Sequence, residues 1–347
     1  MRLRSAVAGL PSRTVTNADI LEMIAAHSSP GFEGDLDDTL RTVDSYLRFS
    51  GSRERRWLDT GERPIDLLKQ AAKTALAQSE LRATDIDLLI YTGIGRGFVE
   101  PGGSYHCAAA LGADNAHCFD ILDACMSWTR AMQVTESLMA TGGYRAALIV
   151  NAEFSLRLGG AVFPHLFRLP RPQALASTFP AYTLGEAATA TVLTAEDHEP
   201  WEFRFASRPD LAPLCNVPLE GYEGFCEPSD RLAANGIGYF TSFGFEMHET
   251  GLPDAYAVFD RLDIDPEKVA ALFTHASSKR YWQMMADKVG LGEAIHHVYH
   301  RTGNIVSASV PAAIASAIEQ GALQRGDRAL GWVGSAGMSF AVFSFVY

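Results

Sequence analysis

Short apolar runs bounded by turn residues alternate along the chain with stretches in which apolar positions recur every three to four residues. That pattern predicts strands interleaved with amphipathic helices. Over 119–154, FDILDACMSWTRAMQVTESLMATGGYRAALIVNAEF, it predicts a strand, a turn at Cys125, a helix, a stop at Gly142 and Gly143, and a second strand. Residues 298–346 repeat the order with a turn, a helix opened by Pro311, a stop at Gly321, and strands. A second echo lies upstream of each segment. A helix over 65–77 precedes a strand over 88–91, entered through Asp85, Ile86 and Asp87; a helix over 256–262 precedes a strand over 269–273, entered through 263–268. Each half therefore reads helix, strand, helix, strand, as expected for sheets covered by helices on both faces. The expectation is a duplicated α/β protein with halves 1–196 and 197–347. Residues 164–180, rich in Pro, Arg and Phe, and residues 221–238 have no clear period and read as long loops or caps, of the kind that often shape a pocket.

A chain of 347 residues suits two such units. The net charge of −12 argues against nucleic acid as the main partner, though not against an acidic partner on a local basic patch. No window approaches the roughly 18 apolar residues of a membrane span, and the start, MRLRSAVAGLPSRTVTNAD, lacks the apolar core of a signal peptide. A soluble, cytoplasmic protein is expected. The cysteines at 107, 118, 125, 215 and 226 are odd in number and form no CxxC pair or metal-ligand set, which predicts free thiols in a reducing compartment and no metal site.

Four positions carry candidate chemistry. Cys125 lies between a strand and a helix start, where the helix dipole favours thiolate and local N–H groups can hold an oxyanion. His275, in FTHASSKR, follows a strand at the end where α/β proteins place ligand-facing groups. Asn304 lies in TGNIVSASVP, a loop leading into a helix, and the small residues of GSAGMS over 334–339 would let backbone N–H groups approach a ligand. A Cys, a His and an Asn at junctions of a duplicated fold suggest nucleophilic catalysis with two polar partners.

These segments resemble the β-ketoacyl-ACP synthase III enzymes. FDILDACMSWTRAMQ is similar to their nucleophile segment, FTHASSKR to their His segment, HRTGNIVSASVPAAIASAIEQGALQRGDRAL to their Asn segment, and YTLGEAATATVL to the Gly-rich strand closing their first half. The resemblance implies a duplicated five-layered (α-β-α-β-α) thiolase-like fold and a homodimer. It makes Cys125 the nucleophile, His275 and Asn304 its partners, and the backbone N–H groups of Cys125 and Ala336 the oxyanion donors. It calls for no cofactor: substrates arrive as thioesters of acyl carrier protein (ACP) or CoA. Arg280 matches a position where the family docks ACP and, with Lys279, forms a local basic patch.

The departures bear on specificity. Met126, Ser127 and Trp128 follow the nucleophile where the family has a small residue and Gly, which predicts a narrowed or redirected acyl pocket. Ser278 stands where the family's His segment carries Asn. Gly51, Arg53, Glu54 and Arg55 match the family's first-half arginine motif, whereas Ser45 and Phe49 occupy the places of its adenine-clasping Trp and Arg, so ACP is expected to serve better than CoA. Glu100, in GRGFVEPGG, falls on the loop that family members send into the partner's pocket. Hydroxymethylglutaryl-CoA synthases and some head-to-head condensing enzymes have a glutamate there, acting as acid or base, and desolvation would raise its pKa. The leading expectation is acylation of Cys125 followed by decarboxylative condensation with a malonyl-type thioester in a specialised pathway. The alternatives are acyl transfer to an amine or alcohol, non-decarboxylative condensation with Glu100 as base, and a silent partner subunit, against which the intact Cys, His and Asn argue.

Overall fold

The computed structural model describes residues 1–196 and 199–347. A five-stranded sheet is ordered β1 (Arg2–Gly9), β7 (Ala187–Thr194), β6 (Ala146–Glu153), β4 (Leu88–Thr92), β5 (His117–Ile121). A four-stranded sheet is ordered β8 (Glu202–Ser207), β13 (Ser339–Val346), β12 (Arg328–Ser335), β11 (Ala271–Thr274). The duplication is legible in this topology. β1, β7, β6 and β4 correspond in order and direction to β8, β13, β12 and β11, each sheet running antiparallel, antiparallel, parallel. The place of β5 in the second sheet is held by a single parallel bridge between Leu272 and Ile295.

Both faces of each sheet are covered, which is why strands such as Leu88–Thr92 are buried at every position. Alternation sorts the side chains. Leu88 and Ile90 face a central layer in which α5 (Ser127–Ala140) and α10 (Ser309–Glu319) pack between the sheets, with Trp128, Met132, Ile314, Phe273 and Phe343 in one core. Leu89 and Tyr91 face the outer helices α3 (Pro64–Gln78) and α4 (Gly103–Leu111). On the far side α7 (Gly244–Phe259) and α8 (Lys279–Lys288) pack Val258 and Trp282 against Leu272, Leu330 and Trp332. These are the five expected layers. A cap of α1 (Asn17–Ser28), α2 (Leu36–Ser50), the single-turn α6 (Leu175–Thr178) and the ribbon β2 (Arg13–Thr16)–β3 (Glu54–Trp57) lies over one end. The single-turn α9 (Tyr299–Thr302) and the two-residue pair β9 (Cys215–Asn216) and β10 (Thr241–Ser242) complete the elements used below.

Two boundaries differ from expectation. The helix expected over 256–262 runs over Gly244–Phe259, because Pro253 and the polar stretch 246–250 hide its period. The segment 164–180 holds short helical turns, with Phe167 and Tyr182 buried beneath it. The expected boundary between the halves, near residue 196, adjoins residues 197–198, which lie outside the described residues. Among the described residues no helix is long and apolar enough to cross a membrane.

Candidate active site

The turn after β5 is built around Cys125. Ala124 takes a left-handed conformation (φ 45°), costing a non-glycine residue about 1–3 kcal/mol that the surroundings must hold in place. Ser127 supplies that hold: its Oγ accepts from the Asp123 N–H at 2.8 Å and donates to the Ala124 carbonyl at 2.7 Å. The turn is also tied to the β12–β13 hairpin, since the Met126 N–H donates to Ser335 Oγ at 3.2 Å. The backbone N–H of the hairpin's next residue, Ala336, lies near the Cys125 thiol and favours its ionised form. The sulfur thus sits against an expected oxyanion donor.

Two expectations about this turn are corrected. Burial pushes the Cys125 thiol up, the nearby Cys215 and Glu153 push the same way, and the Ala336 N–H and Ser335 hydroxyl only partly oppose them. Desolvation opposes the helix-start effect, so a base that takes the thiol proton would aid attack. Met126 and Trp128 do not crowd the acyl pocket either. Both are fully buried in the central core, where Trp128 Nε1 donates to Thr191 Oγ1 at 3.0 Å.

His275 follows β11 directly and is buried. Its Nδ1 lies 3.3 Å from Ser309 Oγ, whose own proton goes to the Val306 carbonyl at 2.7 Å. Ser309 is therefore the acceptor, Nδ1 carries the ring proton, and Nε2 is left as a lone pair for the cavity. Burial, then the neighbouring His248, pushes His275 down to about 3, so it rests neutral. Asn304 is clamped between Thr183 and Gly185: its N–H donates to the Thr183 carbonyl at 2.8 Å and its carbonyl accepts from the Gly185 N–H at 3.0 Å. Its Oδ1 accepts the Val306 N–H at 2.9 Å, which leaves Nδ2 as the donor available to the cavity.

Cys125, His275, Asn304 and Ala336 line one cavity of about 210 Å³, whose other walls include Phe179, Phe245, Met285 and Phe340. Such a lining suits an apolar chain. At its mouth Phe49 is about a third exposed, at 36%, with the Arg280 guanidinium 4.4 Å above its ring and Tyr281 packed edge-on. Arg280 is exposed and Lys279 half-buried beside it. Ser45 is exposed on α2, and Arg55 is fully buried, donating to the Tyr182 carbonyl at 2.9 Å and to Asn17 Oδ1 at 2.9 Å. Ser278 caps α8 by accepting the Tyr281 N–H. Glu100 lies outside this chain's own cavity, exposed beside Phe98 and Val99 on the loop between β4 and α4.

Three site residues went unread in the sequence. Cys215 and His248 line the cavity from β9 and α7. Glu153, fully buried at the end of β6, accepts the Ile94 and Gly95 N–H groups at 3.2 and 3.3 Å and bonds Ser307, so it ties the Glu100 loop to the turn behind Asn304. Its only signal was a charged residue closing an otherwise apolar strand.

The model of the 3-oxoacyl-ACP synthase III C-terminal family matches residues 259–347, the part carrying His275, Asn304 and Ala336. The β-ketoacyl-ACP synthase III of Clostridium perfringens strain 13 is 27% identical over 300 residues, covering 84% of this chain and 87% of that protein. That of Rhodobacter capsulatus is 26% identical over 334 residues, covering 94% of each. The chain is thus β-ketoacyl-ACP synthase III-like in sequence. As such it is a condensing enzyme of the acyltransferase class. Solved structures carry the same fold around this synthase III-like enzyme. OleA of Xanthomonas campestris, crystallised with lauric acid and lauroyl-CoA, superposes with a TM-score of 0.82 at 20% identity, covering 99% of this chain and 98% of that one. The 3-oxoacyl-ACP synthase III of Aquifex aeolicus does so with 0.76 at 20% identity, covering 100% and 99%.

Proposed function

We propose that this synthase III-like enzyme takes an acyl group from a thioester onto Cys125 and condenses it with a malonyl-type thioester, within a specialised fatty-acid or polyketide-type pathway. Claisen-type condensation of acyl thioesters is its general reaction class. The observation that carries the finer reading is the convergence of the Cys125 thiol, the Nε2 lone pair of His275, the Asn304 amide and the Ala336 N–H on one apolar cavity.

Acylation begins with His275 Nε2 taking the Cys125 proton as the sulfur attacks the thioester carbonyl. The tetrahedral oxyanion is held by the backbone N–H groups of Cys125 and Ala336. The proton then passes to the departing thiol. In the second half the malonyl-type acceptor loses carbon dioxide. Asn304 Nδ2 donates to the enolate oxygen, as does His275 once it carries a second proton. The enolate carbon attacks the acyl group and Cys125 leaves as thiolate, to be reprotonated.

Phe49 and Ser45 in place of an adenine clasp, with Arg280 and Lys279 at the mouth, favour ACP as carrier. The halves joining near residue 196 and a homodimer belong to the same proposal, whereas Glu100 acting in the partner's cavity as base belongs to its alternative, a non-decarboxylative condensation. Glu100 is exposed and stands beside the exposed apolar residues Phe98 and Val99, as a loop crossing to another subunit would require. A second reading has its own support: a neutral His275 with a free Nε2 suits deprotonation of an amine or alcohol acceptor. Carbon dioxide release decides between them. Acyl-loaded enzyme should release it from a malonyl thioester in step with product; release-free transfer to an amine or alcohol would replace the first reading by the second.

A further inference from the structure

Decarboxylative condensation consumes one proton per turnover. Acyl-Cys125, the malonyl-type carboxylate and one proton give the β-ketoacyl thioester, carbon dioxide and the free thiol. That proton must reach His275, which lies beneath apolar walls: Phe179, Phe245, Leu252 and Met285 surround the approach. The walls also carry hydroxyls, among them Ser277, Ser278 and Tyr281, but His275 and His248 are the imidazoles among the lining residues. His248, on α7, lines the cavity and stacks on Tyr281 with ring centroids 4.4 Å apart and planes 14° apart. Tyr281 in turn packs on Phe49 at the rim. On the inner side His248 shares the cavity lining with His275, whose pKa its charge would lower.

We propose that His248 is a proton-relay residue acting through His275: it receives a proton from water at the mouth and hands it to His275 Nε2, which returns it to the Cys125 thiolate. No bond other than N–H, O–H and S–H is made or broken in the relay, and one proton moves inward for each carbon dioxide released. Burial pushes His248 down to about 4, so the relay rests neutral and is charged only in passage. The other titratable groups around it do not replace it. Cys215 and Cys125 are thiols whose pKa burial raises. Glu246 is paired with Arg231, Arg280 stands over Phe49, and Glu249 is exposed on the outer side of α7. This inference rests on the condensation reading above.

The test uses His248→Ala, His248→Gln and His248→Phe in the full-length protein. Acylation of Cys125, followed by intact mass, should stay within about twofold of the parent in all three. Release of product from preformed acyl-enzyme should fall at least about tenfold in each, with a larger solvent deuterium effect, because proton delivery becomes limiting. Free imidazole should restore much of the rate to His248→Ala and little to His248→Phe, whose ring fills the space. Full rate in His248→Gln would show that only a hydrogen bond is needed and overturn the relay. So would failure of imidazole to rescue His248→Ala, or an equal loss in both half-reactions. A parent protein that never acylates would instead remove the condensation reading itself, so the two failures are distinguishable.

Discussion

A methyl group added at Gly185 should cripple the second half-reaction without touching any catalytic side chain. Gly185 opens the path into β7, and its N–H holds the Asn304 carbonyl at 3.0 Å. A Cβ there would stand 1.9 Å from the Thr302 carbonyl oxygen and 3.2 Å from Ile305 Cγ2. Backbone atoms cannot rotate away as a side-chain tip can. To reach even the 3.0 Å below which real contacts are not found, the carbonyl must retreat by about 1.1 Å. Asn304 lies two residues further on and is bonded to Gly185 itself, so the displacement is passed to its amide. A misplacement of about 1 Å at a reacting group costs on the order of a hundredfold in rate, and overpacking costs about 1–3 kcal/mol of stability. Gly185→Ala should therefore acylate Cys125 within about threefold of the parent rate and transfer the acyl group about a hundredfold more slowly. Rapid-quench kinetics on the two half-reactions, beside a denaturant titration, measures both. A transfer rate within about threefold of the parent would refute the claim that this contact positions Asn304.

The remaining expectations concern the groups around the cavity. His275→Ala and Asn304→Ala should slow condensation more than acylation, each by roughly a hundredfold or more in single-turnover assays, as loss of an oxyanion-type donor does. Burial pushes Glu153 up to about 7 from its ordinary 4.5, so its ionisation is more costly in the folded state than in the unfolded chain. The stability it retains below about pH 4.5 is lost as pH rises towards 7, at about 1.4 kcal/mol per unit at most. Denaturant titrations should show that Glu153→Gln flattens this decline; an unchanged pH profile would contradict it. Arg280→Glu should raise the apparent KM for an ACP-bound donor and leave a small thioester mimic nearly unaffected; equal turnover with acyl-CoA in the parent would contradict the carrier preference.

The fold was legible because duplication leaves a periodic trace twice over. The 119–154 and 298–346 segments became β5–α5–β6 and α10–β12–β13, and the two sheets share one strand order. Cys125, His275 and Asn304 each sit at a junction where an apolar period breaks, and all three line the cavity. Spacing could not reveal direction or solvation. Met126 and Trp128 read as pocket-narrowing bulk, yet the turn at Ala124 directs both into the core. The pull toward thiolate at a helix start is opposed by burial, which a sequence does not display. His248 and Cys215 were missed for another reason. They come from a helix interrupted by Pro253 and from a two-residue strand, neither of which has a period to read.

Acylation of Cys125 is the event on which the rest depends. Intact-protein mass spectrometry after incubation with acyl-ACP and acyl-CoA thioesters of varied chain length, followed by peptide mapping, tests it directly. The account expects one acyl group per chain, located on Cys125 and absent from Cys125→Ser, with the variant still folded. An adduct on Cys215 or another cysteine, or none with any thioester, would contradict it.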